Sequence, residues 1–185
     1  MENKIQKYTL TAITLHWLVA ILIFALFAIG LYMTGLPTKA ELPPGAESLR
    51  KPWFELHKSL GITVFLLLMI RVYWRVTHEP PPLPDFISHA QQTFINIAHK
   101  LFYVSMILQP TSGLLSSSFG KYPIKWFGMP LPKLGWEDQS LKELFSDVHE
   151  ISAVILATFI IIHLAGVAVH VLKGNGKTIL QRMLP

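Results

Sequence analysis

The chain carries eight histidines and no cysteine. Without thiolates it offers no disulfide, no cysteine-ligated iron–sulfur cluster, no zinc thiolate site and no C-x-x-C-H attachment of haem, so a metal must be held by His or carboxylate. His149 and His163 fall in the apolar stretch Val148–Val171, and from Ile151 to Leu172 there is no Asp, Glu, Lys or Arg. Such a run is long enough to cross a hydrocarbon core of about 30 Å. Ionisable groups inside a span are costly, which makes an intramembrane histidine a site residue first. These two are 14 residues apart. On a helix they face one way to within about 40° and stand about 21 Å apart along the axis. The pattern is that of two sites stacked across a membrane.

Composition sets the elements that must position them. Of 185 residues, 51% are hydrophobic and 15% charged, against a usual charged share of about 25%. This places the chain in the membrane class, as one small all-α domain over residues 1–185. The net charge of +5 suits basic loops beside anionic membrane lipid. No basic cluster lies on a soluble module, which argues against nucleic acid.

Four spans follow in order. Tyr8–Thr38 has no formal charge, giving a retained first span near Leu10–Gly35 with His16 near its start. Pro37, Pro43, Pro44 and Gly45 make Leu36–Pro52 a polar connector. The second span, about Trp53–Val76, opens with His57 and closes with Arg71 and Arg75. His78–Asp85 holds Pro80, Pro81, Pro82 and Pro84, a stiff linker. The third span, roughly Phe94–Ser117, has His99 near its start and Pro110 inside, where a kink is expected and where Ser105, Thr111 and Ser112 can satisfy freed backbone groups. Phe119–Lys142 is the longest connector, yet Trp126, Phe127, Met129 and Trp136 make it apolar enough to lie on the membrane or cover a site. A short basic tail, Gly174–Pro185, follows the fourth span.

Alternation of direction puts the termini on one side and sorts the histidines by depth. Lys and Arg divide eight to eight between the sides; span-proximal residues favour cytoplasmic termini. His57 and His149 share the outer level. The inner partner of His16 is His163, His170 or His99. His163, about 21 Å below His149, matches, whereas His170, about 31 Å below, lies near the headgroups. His99 is at a suitable depth but starts a span with no second histidine. Fourteen residues beyond His16, His57, His99 and His149 stand Gly30, Arg71, Gly113 and His163. Glycines at a ligand level admit a large flat cofactor, although membrane helices also pack through small residues. Arg71 reaches the inner level, where it can pair with a propionate.

Facing histidine pairs in a helix bundle suit a metal or a haem. Two histidines on one iron fill both axial positions, which favours electron transfer over oxygen chemistry. Zinc wants three or four ligands at one level, which here would mean adding Glu150, Glu55 or Asp147 to the outer pair. His78, His89 and His170 read as solvated or packing residues.

The chain resembles the bacterial cytochrome b561 family. Thr14-Leu15-His16-Trp17-Leu18, Glu55-Leu56-His57-Lys58-Ser59-Leu60-Gly61-Ile62, Val148-His149-Glu150 and Thr178-Ile179-Leu180-Gln181-Arg182-Met183-Leu184-Pro185 carry the resemblance. It implies an inner-membrane four-transmembrane-helix bundle enclosing two noncovalent b-type haems (heme b). His16 and His163 would ligate the cytoplasmic-side haem, and His57 and His149 the periplasmic-side haem. In some members electrons pass from superoxide to ubiquinone; others anchor dehydrogenases, so the family fixes neither donor nor acceptor.

Three readings follow. The first is an oxidoreductase taking electrons from superoxide or another periplasmic donor to ubiquinone, with Lys121, Lys125 and Lys133 steering an anion. The second is a haem-bearing anchor relaying electrons for a partner dehydrogenase. The third is a non-haem transporter with packing histidines. Arg75, His99, Lys100 and the Phe119–Trp136 loop are places to look for quinone. Propionate candidates are Arg71, Lys4 and Lys7 inside, and Arg50, Lys58 and Lys121 outside. A homo-oligomer is a further candidate assembly.

Overall fold

Capping side chains fix where three of the four long helices begin. Thr9 accepts from the Ala12 N–H at the head of α1 (Leu10–Thr34). Ser88 and Gln91 form a reciprocal capping box at the head of α3 (His89–Phe119). Asp138 accepts from the Leu141 N–H, 3.0 Å, at the head of α4 (Gln139–His170). The helix α2 (Arg50–Thr77) starts without a side-chain cap. This computed structural model describes residues 6–43, 48–84 and 86–184. Lys4, Pro44, Gly45, Asp85 and Pro185 lie outside the described residues.

Packing between the helices is apolar and sits between the two histidine levels. Val19 and Ile23 of α1, Val64 and Leu68 of α2, Met106 of α3 and Leu156 of α4 form one buried cluster. Each lies between His16, His57, His99 or His149 on its helix and the position 14 residues beyond it. The outward faces are also apolar: Leu31, Val76, Val154, Ile161 and Leu172 are all exposed. So much exposed aliphatic surface suits contact with lipid rather than water.

Among the described residues three helical stretches are long and apolar enough to cross a membrane: Leu10–Thr34, Arg50–Thr77 and Gln139–Gln181. The helix α3 has 31 residues, about 46 Å, but Gln91, Gln92, Asn96 and Gln109 make it more polar. It passes through Pro110 as one helix. Ser105, Thr111 and Ser112 donate to the carbonyls of Phe102, Ile107 and Gln109. Those are neighbours of the Met106 carbonyl, the group a proline at 110 deprives of its donor.

Boundaries differ from the sequence expectation where polar turns extend a helix beyond its apolar part. The helix α3 starts at His89 rather than Phe94, and α4 starts at Gln139, ahead of Val148. The long connector therefore shortens, and it is ordered as a hairpin of β1 (Ile124–Trp126) and β2 (Met129–Leu131). Its turn uses Phe127 (φ 47°) and Gly128 (φ 87°), both left-handed, as the tight turns matched to strand twist require. The Trp126 indole N–H donates to the Thr63 hydroxyl, 3.1 Å, and the Phe127 N–H to the Ser59 hydroxyl, 3.0 Å. The hairpin thus rests on α2 immediately beyond His57. A 3-10 turn, Lys39–Glu41, interrupts the first connector.

The tail is docked rather than free. After α4 a π-helical turn, Val171–Asn175, reverses at Gly174 (φ 81°) into α5 (Gly176–Gln181). Arg182, 7% exposed, donates to the Pro81 and Pro82 carbonyls at 2.9 and 2.8 Å and lies over the Tyr8 ring. The Trp17 indole donates to the Met183 carbonyl, 2.7 Å. N-terminal segment, α2–α3 linker and tail therefore meet at one end of the bundle.

Candidate functional site

Two histidine pairs form, one at each level. The rings of His16 (α1) and His163 (α4) have centroids 6.3 Å apart; those of His57 (α2) and His149 (α4) are 6.2 Å apart. An imidazole nitrogen binds a metal at about 2 Å, so two rings trans to one ion have centroids about 6 Å apart. Both pairs fit that span. Among the described residues no group of three or more His, Cys, Asp or Glu is placed to hold a metal ion, so Glu150, Glu55 and Asp147 do not complete a zinc site at the outer level.

At the outer level the surroundings fix His149. Its Nδ1–H donates to the Gln109 carbonyl, 2.8 Å, and Ser112 Oγ lies 3.2 Å from the same nitrogen. That leaves Nε2 with a lone pair, which accepts from the Gln109 side-chain amide at 3.2 Å; Ser152 in turn donates to the Gln109 Oε1. A ring held through Nδ1–H with the lone pair on Nε2 is the tautomer metal-bound histidines use. His57 Nδ1 is buried near the Leu26 carbonyl without closing a hydrogen bond. Gly30 and Gly113 sit against these rings: a Cβ at Gly30 would be 3.5 Å from His57 Cε1, and one at Gly113 only 2.9 Å from His149 Cε1. Both glycines expected to face a ligand level do face a histidine.

At the inner level Arg71 reaches as its spacing predicts. Its Nη2 lies 3.0 Å from His16 Nδ1, and its Nε donates to the Tyr103 hydroxyl at 3.3 Å. Its Nη1 is buried with no partner, a donor with capacity for an anionic group. Other propionate candidates have different work. Arg50 donates to the Leu36 and Thr34 carbonyls at the end of α1, and Lys7 donates to the Leu184 carbonyl. Of the lysines expected to steer an anion, Lys133 is tied to the carbonyls of Gly120 and Lys121, while Lys121 and Lys125 stay exposed.

The remaining histidines separate. His99 joins the inner level, its ring 6.1 Å from that of His163. His170 packs against Phe86, 5.8 Å, with a buried, unpartnered Nδ1. His78 stacks on Trp74 at 3.7 Å, and His89 is the exposed first residue of α3. Sequence reasoning missed Gln109 and Ser152; the signal for them was a polar pair on facing apolar helices.

Comparison with known proteins agrees with this architecture. Over 136 residues, 69% of this chain and 66% of the relative, it is 34% identical to cytochrome b561 homolog 2 of Escherichia coli (strain K12). Over 183 residues, 97% of each chain, it is 25% identical to the probable superoxide oxidase CybB of Yersinia pestis. The family described as prokaryotic cytochrome b561 matches residues 7–185, which takes in all four histidines of the two pairs. With that match across nearly the whole bundle, the chain belongs to the prokaryotic cytochrome b561 family of b-type, electron-transferring membrane cytochromes.

Proposed function

We propose that this chain carries electrons across the bacterial inner membrane through two b-type haems, from a periplasmic donor, superoxide by preference, to ubiquinone. The observation that carries the proposal is the pair of imidazole pairs, 6.2 and 6.3 Å between ring centroids, about 21 Å apart along α4. His57 and His149 would hold the periplasmic-side haem, and His16 and His163 the cytoplasmic-side haem, in a bundle of four spans with cytoplasmic termini. When bound, each haem supplies a one-electron ferric–ferrous couple.

The chain's own residues do the rest. Two histidines would hold each iron and leave it no position for oxygen, which would confine the chemistry to electron transfer. The Gln109 carbonyl holds the His149 ring through Nδ1–H, which raises its basicity as a ligand. Arg71 offers its unpartnered Nη1 to a propionate. The buried layer around Val19, Val64, Leu68 and Leu156 keeps water out between the levels. Exposed Lys121 and Lys125 draw an anionic donor to the outer face. Two superoxide anions each give up one electron and leave as oxygen, and ubiquinone takes both electrons with two protons. The relative named as a probable superoxide oxidase supports this donor.

The test is the haem-to-protein ratio and visible spectrum of the wild type, His57→Ala and His163→Ala, with superoxide consumption in quinone-loaded proteoliposomes. Two b-type haems, one lost in each variant, and superoxide loss faster than in empty liposomes are expected. A colourless protein would return the chain to a transporter with packing histidines. Haem without superoxide activity, with a co-purifying periplasmic subunit, would make it an anchor for a dehydrogenase.

A further inference from the structure

The hairpin β1–β2 rests on the face of α2 that points away from the histidines. A helix turns about 100° per residue, which puts Val64 and Leu68 within about 20° of His57; both are buried in the core. Ser59, Thr63, Leu66 and Ile70 fall on the opposite side, about 120–180° round from His57. Leu66 and Ile70 are exposed there, on the surface that a membrane-crossing helix turns to lipid. Ser59 belongs to the same face but is only 4% exposed, and the hairpin lies over it.

Depth follows from the same two contacts. Between Lys58 and Arg71 the helix carries no charge, and Thr63 stands midway between its ends, Arg50 and Thr77. The Trp126 indole reaches that residue, and the Phe127 N–H reaches Ser59 one turn nearer the His57 end. The hairpin therefore descends beside α2 to the depth of the bilayer instead of standing above it.

Its tip is built for that surrounding. Ile124 is buried and Lys125 exposed, so the strand alternation turns Ile124 and Trp126 towards α2 and lets the lysine extend to the headgroups. Phe127, 57% exposed, takes the left-handed conformation at φ 47°, which a bulky side chain rarely adopts; the ring it presents has one aromatic neighbour, Trp126, at 6.2 Å. Met129 is exposed beside it. Backbone donors are costly in lipid, and here the Phe127 N–H is taken by Ser59 while Pro130, opposite Lys125 in the ladder, has none. Both receiving hydroxyls are themselves satisfied, Ser59 donating to the Glu55 carbonyl and Thr63 to the Ser59 carbonyl.

We infer that the hairpin tip, Phe127-Gly128-Met129, is inserted among the acyl chains of the leaflet on the His57 side, continuing the lipid-facing surface of Leu66 and Ile70. This inference is independent of the haem assignment and of the electron donor.

The experiment uses the absence of cysteine from the chain. Phe127→Cys, Met129→Cys, Val154→Cys and Tyr122→Cys each take a single nitroxide. The labelled proteins are reconstituted in phospholipid vesicles, and power-saturation electron paramagnetic resonance measures collision with oxygen, which concentrates in lipid, and with a water-soluble nickel chelate. Val154 and Tyr122 are both exposed; the first lies in α4 at about the depth of Thr63 and sets the lipid value, and the second, in the connector before β1, sets the aqueous value. Labels at 127 and 129 are expected to favour oxygen over the chelate several-fold more than the label at 122, approaching the value at 154. Labels at 127 and 129 that meet the chelate as freely as the one at 122 overturn the inference. So do labels that neither reagent reaches, since another protein surface would then cover the tip. Circular dichroism reports whether each variant is folded, and Met129→Cys alone decides by the same comparison if Phe127→Cys is not.

Discussion

Replacing Gly113 by alanine puts a methyl carbon 2.9 Å from Cε1 and 3.0 Å from Nδ1 of His149. Ordinary carbon contacts begin near 3.5 Å, so ring or helix must give by about half an ångström. That displacement is the tolerance within which a metal-binding constellation has to be held. Overpacking of this kind costs about 1–3 kcal/mol, which corresponds to a haem affinity at the outer site roughly 5- to 150-fold weaker. Gly30 is the control. Its added Cβ would meet His57 Cε1 at 3.5 Å, so Gly30→Ala should leave the same site intact. Both changes favour the helix by up to about 1 kcal/mol, and a loss confined to Gly113→Ala therefore cannot come from helix propensity. The assay is transfer of haem from the purified protein to excess apomyoglobin, followed at the Soret band. Equal release rates for the two variants would refute the reasoning.

Three further outcomes follow from contacts elsewhere. Arg182→Ala removes charged hydrogen bonds to the Pro81 and Pro82 carbonyls and should destabilise by about 2–3 kcal/mol, lowering the melting temperature in detergent by roughly 5–10 °C; an unchanged melt would show the tail to be unimportant for stability. Ser59→Ala with Thr63→Val removes both side-chain ties of the hairpin, at about 1 kcal/mol each, and trypsin should cut at Lys125 roughly 30-fold faster if cleavage tracks opening. Lys121→Gln with Lys125→Gln should slow superoxide consumption several-fold at low salt and flatten its salt dependence; a rate that keeps the wild-type salt dependence would place the donor site elsewhere.

What could be read from the sequence was whatever depends on a fixed repeat distance. A rise of about 1.5 Å per residue turned 14-residue spacings into levels. The structure brings His16 to His163, His57 to His149, and Arg71 to the inner pair. Features built from backbone groups left no such trace. The docking of Arg182 uses proline carbonyls, which any residue could have supplied. The hairpin turn uses Phe127 and Gly128 in place of the Asn-Gly pair that would have announced it. Helix ends moved because the first turns of α3 and α4 are polar, while apolar content was the only guide to a span.

The two levels are built on different principles. Outside, the groups around His149 agree: the Gln109 carbonyl fixes the proton on Nδ1, Ser152 orients the Gln109 amide, and Gly113 leaves the ring the space that a Cβ would take. Inside, a cation takes the place of the carbonyl: Arg71 Nη2 lies 3.0 Å from His16 Nδ1, while His99 Nδ1–H donates to the Ile95 carbonyl of its own helix. A ring held by a carbonyl on a neighbouring helix is fixed in one tautomer and one orientation. On the proposed reading, the outer centre meets a small diffusing donor and gains from rigidity. The inner centre must hand electrons singly to an acceptor that takes two, and there the Arg71 cation beside His16 would tune the potential of the centre through its charge.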